Sequence, residues 1–310
     1  MKRKMVIFGG SGLLGGVIAQ FFSSDYEIVI VSRNSPNFDC DRFCSWNAKT
    51  FGSWVDELNG ADVVINMTGR SVDCRYTKEN KRLIMESRVD STNVIGQAIA
   101  RCPNPPKVWL NSSTATIYKH SLDVEMDEGG ETGATPEAKD EFSIEVARAW
   151  EKTLYEAKTP ATRKVALRTA MVLSSREGGV FHVLRRLVKF GLGGKMSTGK
   201  QFVSWVHEQD FCRAIEWIIN HDDLSGHVNI ASPDPVTNAD MMKIFREIYH
   251  VPLGLPASRW MLEIGAVFLG TETELILKSR RVVPGLLKSD GFQLNFPKLD
   301  QALRDIESRL

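Results

Sequence analysis

The chain has 310 residues, 43% of them hydrophobic and 25% charged, with a formal net charge of +1. That balance supplies core for one large or two modest globular domains and leaves no basic field to hold nucleic acid. Five cysteines, an odd count with no C-x-x-C pair, speak for a reducing compartment and against a disulfide framework or a zinc site.

Met5-Val6-Ile7-Phe8 is a short apolar run, and although the basic start before it resembles the head of a secretory signal, the glycines cut the run too short for one. It runs straight into Gly9-Gly10-Ser11-Gly12-Leu13-Leu14-Gly15, with glycines spaced G-x-x-G-x-x-G. Leu13, Leu14, Val17, Ile18, Phe21 and Phe22 then recur at helical spacing, predicting a helix from Leu13 to about Ser23. Ile28 to Ser32 is a second strand, and Phe43 to Trp46 a third, followed by a short helix near Trp54 to Leu58. Ala61 to Asn66 is the next strand, and a long helix from Lys78 to Arg101 ends before Pro103, Pro105 and Pro106. Lys107 to Ser112 is a strand, Ser121 to Asp140 a loop, Phe142 to Lys158 a helix and Lys164 to Leu173 a sixth strand. Strands alternating with helices predict an α/β fold, a doubly wound parallel Rossmann sheet covered on both faces.

After Leu173 the pattern changes to shorter elements punctuated by Pro233, Pro235, Pro252, Pro256, Pro284 and Pro297. The expected division is a dinucleotide-binding domain over 1–173, with 209–222 returning to it, and a smaller C-terminal substrate or lid domain from 174–208 and 223–310. Substrate belongs between sheet and lid, outside the carboxyl ends of the strands. No apolar stretch, Ile264 to Leu269 included, reaches bilayer-spanning length, so a cytoplasmic protein without membrane attachment is expected.

The glycine turn carries the first functional argument. A strand turning sharply into a helix needs the freedom of Gly9, a pyrophosphate needs close backbone approach at Gly12, and Gly15 lets helix and strand pack tightly. The helix N-terminus then faces phosphate with free N–H groups and a positive dipole end. A site for NAD carries an acidic residue at the end of the second strand, where this chain reads Ser32-Arg33-Asn34. Arg33 suits a ribose 2′-phosphate instead, so NADP is expected in preference to NAD.

Further motifs narrow the reading. Asn66-Met67-Thr68-Gly69 resembles the N-x-A-G element of extended short-chain dehydrogenase/reductases, and Ser112-Ser113 resembles their catalytic-serine position. Arg75-Tyr76-Thr77, Lys81, Ser87-Arg88, Thr92, Trp150-Glu151, Arg168 with Val172-Leu173, and Phe190-Gly191-Leu192-Gly193-Gly194 resemble one atypical branch. So do Ser204-Trp205-Val206-His207 with Asp210, Asn229 to Pro233, Pro235 to Asn238, and Arg281-Val282-Val283-Pro284. That branch is the YfcH-type group of epimerase family proteins, whose C-terminal segment is a domain of unknown function. The resemblance covers nearly the whole chain. It implies an extended Rossmann fold, nicotinamide dinucleotide binding and a poorly defined substrate. The cofactor contacts expected are Gly9, Gly10, Ser11, Gly12, Leu13, Leu14, Gly15, Ser32, Arg33, Asn47, Met67, Thr68, Gly69, Arg88, Ser112, Arg168 and Val172. Homodimers through the two long helices flanking the sheet are common in the superfamily and are expected on that ground.

The chemistry departs from that superfamily. Its ordinary members use a tyrosine and a lysine four apart on the helix after the catalytic serine, the tyrosine serving as general acid/base. Here Ser143 and Ala147 stand in those places. The substitutes open to the chain are Ser113 as a substrate contact, Tyr118 near the pocket mouth, and Glu145 as a base if burial raises its pKa. His207 reads as a structural histidine, and no metal is expected. Two readings stand together: an NADP-dependent oxidoreductase or epimerase-like enzyme on a small polar substrate, and a cofactor-binding regulator with little turnover.

Overall fold

A computed structural model describes residues 2–269 and 272–310. The first half alternates strands β1 (Arg3–Phe8), β2 (Tyr26–Ser32), β3 (Arg42–Ser45), β4 (Val63–Asn66), β5 (Val108–Thr114) and β6 (Arg163–Thr169) with helices α1 (Leu13–Phe22), α2 (Lys78–Ala100) and α3 (Glu141–Glu156). The second half runs β7 (Met171–Leu173), α4 (Val180–Lys189), β8 (Phe202–Val203), β9 (Trp205–His207), α5 (Glu208–Asn220), β10 (Gly226–Ile230), β11 (Val236–Thr237), α6 (Asn238–Ile248), α7 (Arg259–Leu269), α8 (Glu274–Leu277), α9 (Gly285–Ser289) and α10 (Leu299–Ser308). Seven strands form one parallel sheet in the order β10-β6-β5-β4-β1-β2-β3.

The apolar runs read as strands because both sheet faces are covered. Side chains alternate between two cores. Met5, Ile7, Ile28, Ile30, Val63, Ile65 and Leu110 meet Ile18 and Phe22 of α1 with Phe211 and Ile215 of α5. Val6, Phe8, Val29, Val31, Val64 and Trp109 meet Val94, Ile95 and Ile99 of α2 and Leu154 of α3. The Thr77 side chain caps α2 by accepting from the Asn80 N–H.

Two expectations change. The stretch 164–173 is two strands rather than one, because the chain changes sheets at Ala170. The Ala170 N–H still donates to Ile230 at 3.0 Å, but Met171 already donates to Ser204 at 3.1 Å, and β7 pairs with β9. No glycine or proline marks that exchange of ladder partners. Residues 226–230, expected in the smaller domain, instead pair with β6 as the outermost strand of the large sheet.

The smaller C-terminal domain has its own core from α4, α6 and α10, including Phe181, Leu184, Phe245, Leu303 and Ile306. The Ser-Trp-Val-His element fastens the C-terminal segment to the body. Ser204 Oγ donates to the Arg280 carbonyl and accepts from the Val282 N–H, both at 2.7 Å. Asp210 accepts from the N–H groups of Asn295 and Phe296 at 2.8 Å. His207 is fully buried, its Nδ1 facing the Gln209 N–H at 3.1 Å and its Nε2 facing Asp305 at 3.0 Å. Burial pushes its pKa down, with Arg309 adding to the effect.

Candidate functional site

The carboxyl ends of β1, β4 and β5 open onto a crevice of two lobes that share Gly9, Gly12, Met67, Gly69 and Arg70. The smaller lobe, about 330 Å³, is lined also by Ser11, Ser32, Arg33, Asn47 and Thr68. The larger, about 540 Å³, is lined also by Leu13, Leu14, Gly15, Arg88, Ser112 and Ser113.

The floor between the lobes fits a dinucleotide. Gly9 has φ +69°, and a Cβ there would lie 2.8 Å from the Thr68 backbone; a Cβ on Gly15 would run into the Gly10 carbonyl. A Cβ on Gly12 would meet only the Gly9 carbonyl, at 3.6 Å. Behind it, the N-terminus of α1 has no side-chain cap and no acidic residue in its first turn. Its positive end is therefore left open to an anion. Thr68 Oγ1, in the same wall, is buried without a hydrogen-bond partner. Such an orphaned group is costly unless a ligand or water meets it. Beneath, buried Asn66 accepts from the Thr68 N–H at 3.0 Å and donates to Asn111 at 2.8 Å, fixing the loop.

At the rim of the smaller lobe, Arg33 is exposed at the end of β2. Ser32 Oγ donates to the Asn34 carbonyl at 2.6 Å, and Asn47 accepts from the Lys49 and Thr50 N–H groups at 2.9 and 3.0 Å. Among the described residues Glu86 is the carboxylate lining this lobe, and it is engaged by Lys49 at 3.0 Å and Arg82 at 2.7 Å.

In the larger lobe Ser113 Oγ donates to Glu151 Oε1 at 2.6 Å, and Glu151 holds Arg168 through two bonds of 2.8 Å. Arg168 donates to the Tyr118 hydroxyl at 3.0 Å, which donates to Asn229 at 2.8 Å. Ser113 therefore meets the crevice with its proton already committed to a carboxylate. It is set to accept from a ligand hydroxyl rather than donate to a carbonyl. Arg88 sits 5.0 Å over the Trp150 ring and donates to the carbonyls of Arg70 and Ile84 at 3.1 Å. Burial pulls its pKa down to about 10, and among the described residues no carboxylate pairs with it. A cation left in that position suits an anionic ligand group.

The opposite wall is Tyr76 with Phe142, Ser143, Val146 and Trp150. Ala147 is fully buried. Ser143 Oγ donates to Glu274 of the C-terminal segment, and the Tyr76 hydroxyl donates to the same carboxylate at 3.2 Å. Burial pushes the pKa of Glu274 up despite those donors. The Tyr76 phenol is pushed up by burial and then by Glu274. Close by, Lys278 and Asp140 form an ion pair with side chains 1% and 0% exposed, and Lys278 donates to the Thr116 carbonyl at 2.6 Å.

Several sequence candidates lie elsewhere. Glu145 is exposed and does not line the crevice, because helical spacing gives that face to Ser143, Val146 and Trp150. It lacks the burial its role as a base required. Tyr118 is 1% exposed and its hydroxyl is spent inside the buried network, so it is not at the pocket mouth. Arg168 is buried against Glu151 rather than facing a cofactor. Val172 packs against the large core, and Gly10 lies buried beneath the turn against Ile7 and Ile30. Glu274, Lys278 and the acceptor role of Glu151 escaped sequence reasoning. The signal for the first two was two charges flanking Leu275-Ile276-Leu277, an apolar run that calls for burial and hence for partners.

Comparison with known proteins follows the geometry. The family model described as NAD dependent epimerase/dehydratase family matches residues 5–231, and one described as a domain of unknown function, DUF1731, matches 257–306. The chain is 29% identical over 307 residues to an epimerase family protein of Mycobacterium leprae, covering 97% of this chain and 95% of that protein. It is 27% identical over 307 residues to an epimerase family protein of Staphylococcus aureus, covering 98% and 99%. A crystal structure of the human epimerase family protein SDR39U1 with NADPH superposes with a TM-score of 0.86 at 24% identity, over 99% of this chain and 100% of that one.

Proposed function

The chain belongs to the NAD dependent epimerase/dehydratase family, and on that premise we propose that it binds NADP(H) over the glycine turn and acts on a small polar, sugar-like or carbonyl substrate as an oxidoreductase or epimerase-like enzyme. Within the family we assign it to the atypical YfcH-type branch, on the motifs above and the DUF1731 match. The observation that carries the cofactor reading is the uncapped α1 N-terminus and the orphaned Thr68 hydroxyl beside one glycine turn, with Arg33 at the rim. Solved structures of the same fold hold NADPH or NAD, which supports a nicotinamide dinucleotide there; the preference for NADP rests on Arg33.

Gly9, Gly12 and the first turn of α1 would receive the pyrophosphate, and Arg33 the 2′-phosphate. The nicotinamide, when bound, supplies hydride chemistry. The chain's own residues do the rest. Ser113 accepts from and orients a substrate hydroxyl, held by Glu151 and Arg168 behind it. Arg88 takes an anionic group of cofactor or substrate. Tyr76, Phe142 and Val146 keep water from the reacting face.

The regulator reading is favoured by one observation, Ser143 and Ala147 in place of the tyrosine and lysine. Following nicotinamide absorbance against a panel of carbonyl and nucleotide-sugar compounds separates the two. The enzyme reading expects turnover that Ser113→Ala lowers. Tight NADPH binding with no turnover across the panel would instead favour the regulator.

A further inference from the structure

Three groups from distant parts of the chain converge where an ordinary relative would place its tyrosine. Ser143 and Tyr76 line the larger lobe, and both hydroxyls donate to the Glu274 carboxylate, which is 8% exposed. The segment bearing Glu274 is fastened to the crevice wall at both ends. Glu272 accepts from the Tyr76 N–H at 2.7 Å and pairs with Arg75 at 3.2 Å, while Lys278 is buried against Asp140 beside the start of α3. A carboxylate so enclosed, with two hydroxyls between it and the cavity, is placed to take up or give up a proton through them, which an amide accepting the same bonds could not do.

We propose that Glu274 is the proton store of this crevice, exchanging protons with bound substrate through the hydroxyls of Ser143 and Tyr76. The proposal rests on the reading that the crevice holds NADP(H). In oxidation, a substrate hydroxyl passes its proton to Ser143 or Tyr76, whose own proton moves to Glu274. The hydrogen on the substrate carbon leaves with its electron pair to the oxidised nicotinamide dinucleotide, and the carbonyl forms. Reduction runs the same path backwards. Glu274 does not touch substrate; it acts through the two hydroxyls, and the C-terminal domain thereby supplies what the α3 helix lacks. Burial favours the protonated acid, the neighbouring Asp140 adds to that, and Lys278 with the two hydroxyl donors opposes it. Arg280 also interacts with Glu274.

The test is calorimetric titration of the whole protein with NADP+ and with NADPH, in buffers of differing ionisation heat, across a pH series. The oxidised ring is positive and the reduced ring neutral. NADP+ should therefore expel a proton from Glu274 that NADPH does not, and Glu274→Gln should abolish the difference. The double variant Ser143→Ala with Tyr76→Phe removes two donors to the carboxylate and should move the pH of maximal release upward; it serves also if Glu274→Gln fails to fold. Equal proton release in wild type and Glu274→Gln, no release in wild type, or an unmoved pH maximum in the double variant would each overturn the proposal. Failure of wild type to bind either nucleotide would instead sink the cofactor reading beneath it.

Discussion

The two ends of the crevice are made differently. The smaller lobe is built around backbone at the ends of neighbouring strands: a glycine turn, an uncapped helix start and the last residues of β2 and β4. Where the larger lobe meets α3, its wall is side chains gathered from far apart: Ser143 and Glu274 are separated by 131 positions, Tyr76 and Glu274 by 198. Backbone geometry tolerates little change at the first end. The second end is free to recruit new groups as long as the fold carries them to one place. That freedom lets this chain keep the dinucleotide turn while Ser143 and Ala147 replace the tyrosine and lysine.

The comparison can be broken at several points, the largest effect first. Arg168→Met leaves the Glu151 carboxylate buried and unpaired, which should cost about 3–5 kcal/mol in urea unfolding. A loss of nucleotide affinity without that loss of stability would return Arg168 to the cofactor. Gly15→Ala drives a Cβ into the Gly10 carbonyl and should destabilise by roughly 1–3 kcal/mol, with NADPH binding lost in the protein that remains folded. Unimpaired NADPH binding in that variant would mean the turn is not the holding element. Ser113→Ala strips Glu151 of one donor and should lower stability by only about 1 kcal/mol, its main consequence falling on turnover.

The smallest expected effect lies away from the crevice, at His207. Its folded-state pKa is depressed by burial, so the fold favours the neutral ring. The associated stability is full above the unfolded value of about 6.5 and is lost as pH falls below it through the depressed value. Melting temperatures at pH 7.5 and pH 5 in wild type and His207→Gln check this: the variant should show the weaker acid dependence. An equal dependence would assign the acid sensitivity to other groups.

Elements with a strong local pattern were legible from the sequence. The order of strands and helices through α3, the glycine turn and the position of Arg33 all follow from apolar periodicity and turn chemistry acting over a few residues. What escaped was set by contacts between distant segments. Ala170 reads as mid-strand because nothing local marks a change of sheet partner. Glu145 lies two positions after Ser143, about 200° further round the helix and so off the face that lines the crevice. Tyr118 and Arg168 carry reactive-looking side chains whose partners, Asn229 and Glu151, could be seen only once the strands were side by side. Glu274 belongs to the same class, its role defined by Tyr76 and Ser143.

The most direct measurement is the binding of NADPH and NADH, each titrated separately by nicotinamide fluorescence into wild type and Arg33→Ala. A charge-assisted contact to the 2′-phosphate is worth about 1.5–3 kcal/mol, so wild type should prefer NADPH by roughly 10- to 100-fold and Arg33→Ala should erase most of that preference. Equal affinities in wild type, or a preference for NADPH that survives Arg33→Ala intact, would contradict the account.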